Sequence, residues 1–491
     1  MTGIPDLLLV NAGGSIRKKV YQTDNLNNNL PAIEPPFWAA LTAGFLMKRG
    51  YNLGILDANA ENLTHEETAE RIKILNPKLV DIIVYGQQPS ASTQLMGEVI
   101  SLTKEIKKQG LNIKIAVSGP HPSALPKRTL LETESDFVAE GEGFYTLLGL
   151  LENNELSKIP GLWYKENGEI LSNPRAEIIK DVTSELSDVA WDLLPMDKYL
   201  AHNWHCLDDL SSRNRYASMY TTLGCPFNCS FCCIQAPFKA HSYREFSPEW
   251  VLNQIDTLVK RYNVKNIKFI DELFVLNPEH FVPIADGLIK RNYGVNIWAY
   301  ARIDTVKEEY LEKLKKAGFN WLALGIESGN EGVRKSVQKG RFDQSNIYDV
   351  VKKIKDAGIN IIGNYMFGLP DDDLDTMQQT LNLAQGLNCE FSNFYAAMAY
   401  PGSRLYSEAV EKGLKLPDSW IEYSQHSYEC QPLPTNKISA KEVLEFRDYA
   451  FDAYHRNPRY LSMIEKKFGI GARKHIEEMN NHKLKRKLLG D

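Results

Sequence analysis

Cys225, Cys229 and Cys232 form a C-x3-C-x2-C pattern in the stretch LGCPFNCSFCC, directly after the predicted strand Ser218–Leu223. Three thiolates on one short loop can hold three irons of a 4Fe–4S cluster and leave the fourth iron open to a small molecule. The competing reading is a structural zinc, which takes four ligands. Cys233 or His241 would have to supply the fourth, and a ligand adjacent to Cys232 is crowded. The remaining cysteines, Cys206, Cys389 and Cys430, read as core or inert thiols.

Such a loop needs a scaffold, and the sequence around it alternates strand and helix signals. Strands are predicted at Ser218–Leu223, Ile267–Asp271, Asn296–Tyr300, Trp321–Ile326, Asn360–Phe367 and Phe391–Met398. Six such units predict a partial (β/α) barrel, whose functional face lies at the carboxyl ends of the strands. Those ends carry Asp271-Glu272, Ala301-Arg302-Ile303-Asp304, Gly325-Ile326-Glu327-Ser328-Gly329, Gly368-Leu369-Pro370 and Tyr400-Pro401-Gly402. Asp271 and Arg302 also suit a structural salt bridge, and the Gly-Pro pieces also suit plain turns.

The first 150 residues show a second alternation. Apolar runs at Leu7–Val10, Leu53–Leu56, Leu79–Tyr85, Ile113–Val117 and Phe137–Ala139 predict a parallel sheet, with helices such as Ala39–Arg49 and Ser92–Gln109 between them. Ligands of such sheets sit outside the carboxyl ends of the strands. No G-x-G-x-x-G follows the first strand, which counts against a dinucleotide. The expected organisation is a Rossmann-like domain at 1–150, a linker with a hairpin at 151–205, a barrel at 206–425 and a helical C-terminal region at 426–491. The closing basic run, Lys483–Lys487, reads as a solvated helix face.

The cysteine loop and its strand ends resemble the radical S-adenosylmethionine (SAM) superfamily. The resemblance implies that the open iron chelates SAM, with Phe231 near the adenine, Glu272 on the methionyl amine and Glu327 on the ribose. Arg302, Ser328 and Tyr400 complete the expected SAM contacts. The N-terminal stretch resembles the cobalamin-binding domain found ahead of many such barrels. It matches at Glu34-Pro35-Pro36, Asp57, Tyr85–Ser90, Ser118–Pro122 and Glu140–Glu142. The residues this implies for cobalamin are Asn11, Gly13, Gly14, Asp57, Gly86, Gln87, Ser90, Ser118, Gly119, Glu140 and Gly141. One departure stands out. Where many cobalamin domains carry D-x-H-x-x-G, with the histidine on cobalt, this chain reads Asp57-Ala58-Asn59-Ala60-Glu61-Asn62. An amide is a poor cobalt ligand, so no histidine is expected below the metal. His65 is expected near a helix start, and His121 as a hydrogen-bonding or solvated loop residue.

Together these features are similar to the cobalamin-dependent radical SAM methyltransferases. That resemblance implies that one SAM methylates cobalamin while another yields a 5′-deoxyadenosyl radical. The radical takes hydrogen from the substrate, which then receives the methyl group. Cyclisation or rearrangement without methyl transfer is the alternative outcome. Methylthiolation is disfavoured, because no cysteine precedes Cys206. The expected partners are a small-molecule or biosynthetic-intermediate substrate and an electron donor of flavodoxin or ferredoxin type. The net charge of −5 does not suggest nucleic-acid binding. No apolar run suits a membrane span or a signal core, and the chain is read as cytoplasmic.

Overall fold

A computed structural model describes residues 3–13, 32–86, 88, 90–238, 241–340 and 342–491. Gly14 and Gln87 lie outside the described residues. Strands β1 (Leu7–Asn11), β2 (Leu53–Asp57), β3 (Leu79–Ile83), β4 (Lys114–Ser118) and β5 (Phe137–Ala139) pair in parallel, in the order β2-β1-β3-β4-β5. Their near-continuous apolar runs follow from burial on both faces, since helices cover each side. The sheet does not stop at β5. The hairpin β6 (Leu162–Glu166) and β7 (Glu169–Ser172) adds two antiparallel strands to its edge, turning at Asn167-Gly168, both with positive φ. Strand order reverses direction at β1, and the carboxyl ends of β1 and β3 therefore flank a crevice.

The second sheet is a half-barrel. Strands β8 (Tyr216–Met219), β11 (Asn266–Phe269), β12 (Asn296–Arg302), β13 (Phe319–Glu327), β14 (Asn360–Phe367) and β15 (Phe391–Ala396) are all parallel. An amide ladder ties the amino ends of three strands. Asn296 Nδ2 donates to Asn266 Oδ1 at 2.9 Å, and Asn320 Nδ2 donates to Asn296 Oδ1 at 3.1 Å.

The sequence predicts one strand over Ser218–Leu223, and the structure breaks it in two. The chain leaves β8 after Met219, and β9 (Thr222–Gly224) pairs antiparallel with β10 (Tyr243–Glu245) instead. The cause is Asp271, which is fully buried at the end of β11. Its carboxylate accepts the backbone N–H groups of Thr221 and Thr222, the latter at 2.8 Å, and the Thr221 hydroxyl at 2.6 Å. It makes no pair with Arg302, whose guanidinium is taken by Asp304.

The C-terminal region is helical over Ala440–His455, Pro458–Phe468 and Ile470–Asn481, but the basic run is not a helix face. The chain leaves the last helix at Asn481, and Arg486 is 1% exposed. Its guanidinium grips both carboxylate oxygens of Asp448, at 2.7 and 2.9 Å, and the carbonyls of Gln425 and Ser427. Composition alone reads the four basic residues of this run as solvated; a half-buried carboxylate on the facing helix, Asp448, makes one of them part of the core.

Among the described residues, no helix is long and apolar enough to cross a membrane. Asp271→Asn is expected to destabilise the apoprotein by about 2–4 kcal/mol, because its amide N–H₂ faces donors already buried. Thermal unfolding checks this, and an unchanged midpoint would contradict it.

Candidate functional site

The interior of the half-barrel is open rather than filled. Its inward positions on β13 are Ala323 and Gly325, where a closed barrel would place bulky branched side chains. The result is a cavity of about 830 Å³, reaching from the cysteine loop down to Trp298, Ile362 and Phe391. Tyr449, Asp452, His482 and Lys483 of the C-terminal region line it as well.

The cysteine loop forms one wall. Cys225, Cys229 and Cys232 are half-buried and face this cavity, whereas Cys206, Cys389 and Cys430 are buried elsewhere. Gln235 Nε2 holds the loop's shape by donating to the carbonyls of Cys225 and Phe227, at 3.3 and 3.1 Å. Cys233 is buried but lines the same cavity next to Cys232, whereas His241 is not among the lining residues and its Nδ1 sits 3.0 Å from the Pro226 carbonyl. Among the described residues, no three His, Cys, Asp or Glu side chains converge on a single-ion site. Zinc draws its ligands to about 2.1–2.3 Å of one point. A cluster takes each thiolate on a different iron, so its ligands stand apart. Three half-buried thiols spaced along one loop therefore fit a cluster and not a lone ion. Burial pushes the Cys225 thiol up to about 11, so its thiolate form requires the metal.

Around the loop stand the strand-end groups. Glu272 lines the cavity, and burial, then the neighbouring Asp271, push its carboxyl up to about 7. Arg302 lines it too, with its guanidinium 3.8 Å from the Phe227 ring centroid. Glu327 sits at a bulge of β13 with φ of 66°, a left-handed conformation of the kind that costs about 1–3 kcal/mol and collects at functional sites. Its carboxylate pairs with Lys339 Nζ at 2.7 Å, both side chains being buried. Phe231 and Tyr400 line the cavity. Ser328 does not: it is fully buried, and its hydroxyl meets Thr380 Oγ1 at 3.2 Å and the Asn330 N–H at 3.1 Å.

The sequence reading does not single out Lys268, Asn364, Asn393 or Lys339, all of which line the cavity. Lys268 is inward on β11, with its ammonium on Glu34 of the first sheet's domain at 2.9 Å. Asn364 and Asn393 form an amide pair at 2.9 Å on β14 and β15. For the first three the signal was a polar residue inside a largely apolar run. Lys339 left none, because only the fold brings it to Glu327.

A second crevice of about 130 Å³ opens at the carboxyl ends of β1 and β3. Asn11, Asn59, Tyr85 and Gly86 line it, and it shares Ala32, Ala91, Gln94 and Ile270 with the large cavity. Ser90 lies on the large cavity itself. The other expected residues hold the crevice's frame. Asp57 is buried, bonded to Asn11 Nδ2 at 2.8 Å and to the Tyr199 hydroxyl at 3.0 Å. Ser118 donates to the buried Asp81 at 2.7 Å, and Glu140 accepts from the Trp163 indole at 2.7 Å. Gly141 bonds Ser123. Gly119 must be glycine: its φ is 125°, and a Cβ would lie 2.4 Å from the Val84 carbonyl oxygen. A Cβ at Gly13 would likewise lie 2.5 Å from the Ala58 backbone.

Neither histidine reaches the crevice wall. His65 pairs with Glu98 at 2.9 Å, and His121 is a core residue, its ring edge-on to Trp420. It is not solvated: burial lowers its pKa to about 3.

Comparison with known proteins agrees with this geometry. The sequence model of the radical SAM superfamily matches residues 219–384, and that of the B12 binding domain matches 25–151. An uncharacterized methyltransferase of Pyrococcus horikoshii is 31% identical over 433 residues, covering 87% of this chain and 89% of that protein. The chain belongs to the cobalamin-dependent radical SAM methyltransferase family. The anaerobic magnesium-protoporphyrin IX monomethyl ester cyclase of Rubrivivax gelatinosus is 25% identical over 390 residues, covering 77% of this chain and 67% of that protein. The structure of the radical SAM methyltransferase TsrM from Kitasatospora setae, with cobalamin and a [4Fe-4S] cluster bound, has the same fold. Its TM-score is 0.69 at 15% identity, over 97% of this chain and 98% of that one.

With cobalamin bound, Co(II) electron paramagnetic resonance should lack the three-line nitrogen splitting of an axial histidine. Splitting that disappears in His65→Ala or His121→Ala would contradict the geometry.

Proposed function

We propose that this enzyme methylates an unactivated carbon of a small molecule held in the half-barrel. The observation that carries the reading is the shared wall. The cavity walled on one side by the cysteine loop and the crevice between β1 and β3 share Ala32, Ala91, Gln94 and Ile270, so one substrate can face both. When bound, the cluster with SAM supplies a hydrogen-abstracting radical, and cobalamin supplies the methyl group.

The chain's own residues then bind, orient and exclude water. Cys225, Cys229 and Cys232 hold the cluster. Phe231 packs against the adenine. Glu272, whose carboxyl burial and then Asp271 raise to about 7, is drawn to full charge by the SAM ammonium, because a cation at hydrogen-bond range lowers a carboxyl pKa. Glu327 is held by Lys339 in the strained conformation that presents it to the ribose. Arg302 and Tyr400 close the SAM side of the cavity. Trp298, Tyr300 and Phe391 line the lumen below with aromatic surface, which excludes water from a radical intermediate. The substrate enters past Tyr449 and Asp452. Residues 1–150 are assigned to cobalamin and 206–425 to SAM. Electrons come from a flavodoxin or ferredoxin type of donor in the cytoplasm.

The test is product analysis with anaerobically reconstituted enzyme, SAM, cobalamin and a candidate substrate. A product one methylene heavier is expected, with S-adenosylhomocysteine and 5′-deoxyadenosine formed in equal amounts. All three should vanish in the Cys225→Ala/Cys229→Ala/Cys232→Ala variant. A product of unchanged mass, with 5′-deoxyadenosine alone, would instead establish the rearrangement that the cyclase relatives represent.

A further inference from the structure

The three cluster thiols do not stand in equal surroundings. Arg302 Nη1 donates to the Cys229 sulfur at 3.7 Å. That guanidinium is fixed on every side. Asp304 takes Nε and Nη2, each at 2.9 Å, the Lys339 carbonyl takes Nη2 as well, and the Phe227 ring lies beneath at 3.8 Å. Arg302 is 6% exposed, so water does not compete for its remaining N–H groups. The ammonium of Lys339 stands on the same side, paired with Glu327 at 2.7 Å. Cys232 instead shares the cavity wall with the carboxyl of Glu272. An arginine needed only to counter Asp304 would not have to aim a locked fork at one sulfur of the loop.

Hydrogen bonds to cluster sulfurs and nearby net charge set the reduction potential of an iron–sulfur centre. A donor to a ligand sulfur stabilises the reduced state, which carries one more negative charge. We propose that Arg302, aimed by Asp304, tunes this enzyme's cluster by raising its reduction potential through the Cys229 sulfur. The step it eases is the transfer of one electron from a low-potential reductant, of flavodoxin or ferredoxin type, to the oxidised cluster. No proton or bond is exchanged. The inference rests on the reading that these thiolates hold a cluster.

The experiment is a potentiometric titration of the reduced-cluster resonance in reconstituted protein, without SAM, so that any contact of Arg302 with SAM has no influence. At the parent's half-reduction potential, Arg302→Met should lower the ratio of reduced to oxidised cluster about tenfold, which corresponds to about 59 mV for one electron. Arg302→Lys keeps the charge but loses the fixed fork, and should fall between the two. Asp304→Asn keeps one acceptor oxygen for the fork, which the Lys339 carbonyl and the Phe227 ring also hold, but removes the compensating negative charge, and should raise the ratio. Should Arg302→Met fail to hold iron, the Asp304→Asn titration decides alone. Full iron content with an unshifted potential in Arg302→Met, or a lowered ratio in Asp304→Asn, overturns this inference. A parent protein that holds no iron overturns the cluster reading, and this one with it.

Discussion

A carboxylate with no exposed surface, Asp271, gathers two backbone N–H groups and a hydroxyl where β8 would otherwise run on. Much of the site follows from that knot. The chain turns out of the half-barrel at Thr221, β9 lies down on β10, and the cysteine loop is launched over the cavity rather than away from it. The next residue, Glu272, is aimed into the same space. The Thr221 hydroxyl also contacts His280 Nε2 at 3.1 Å, which ties the turn to the helix Pro278–Arg291. Burial raises the Asp271 carboxyl to about 7 even against these donors, so the knot is built of strong hydrogen bonds at a high desolvation cost.

The domains are locked by a few buried polar ties rather than by a broad apolar seam alone. Glu142 of the first domain meets Arg244 of β10 at 2.7 Å, Glu34 meets Lys268 of β11 at 2.9 Å, and Gln88 donates to the Tyr300 hydroxyl at 2.7 Å. Breaking a buried pair strands a charge, so such ties fix one relative placement more sharply than apolar contact does. They hold the crevice of the first sheet against the lumen of the second.

The strands were legible because buried parallel strands are continuous apolar runs, ended by residues such as Asp57 and Gly86. The cysteine loop was legible from spacing. The break between β8 and β9 was not, since Asp271, its cause, lies 50 residues beyond Thr221. The same holds for Lys339, which meets Glu327 only across a helix and two turns, and for Arg486, whose burial depends on Asp448. Asp57 and Ser118 show the converse. Their positions matched a cofactor pattern, yet their polar groups make bonds within the protein that shape the crevice. Sequence position marked the neighbourhood; only tertiary packing separates the residues that line a site from those that frame it.

The central claim is that cluster and cobalamin open onto one shared space between the domains. Anomalous scattering from anaerobic crystals of the reconstituted enzyme, collected at the iron and cobalt edges, tests it most directly. The account predicts an iron peak bounded by Cys225, Cys229 and Cys232. It predicts a cobalt peak on the Asn59 and Gly86 side, with no protein side chain across the line between the two metals at Ala91 and Ile270. A cobalt peak walled off behind Trp38 and Tyr220, or iron bound away from the three cysteines, would contradict it.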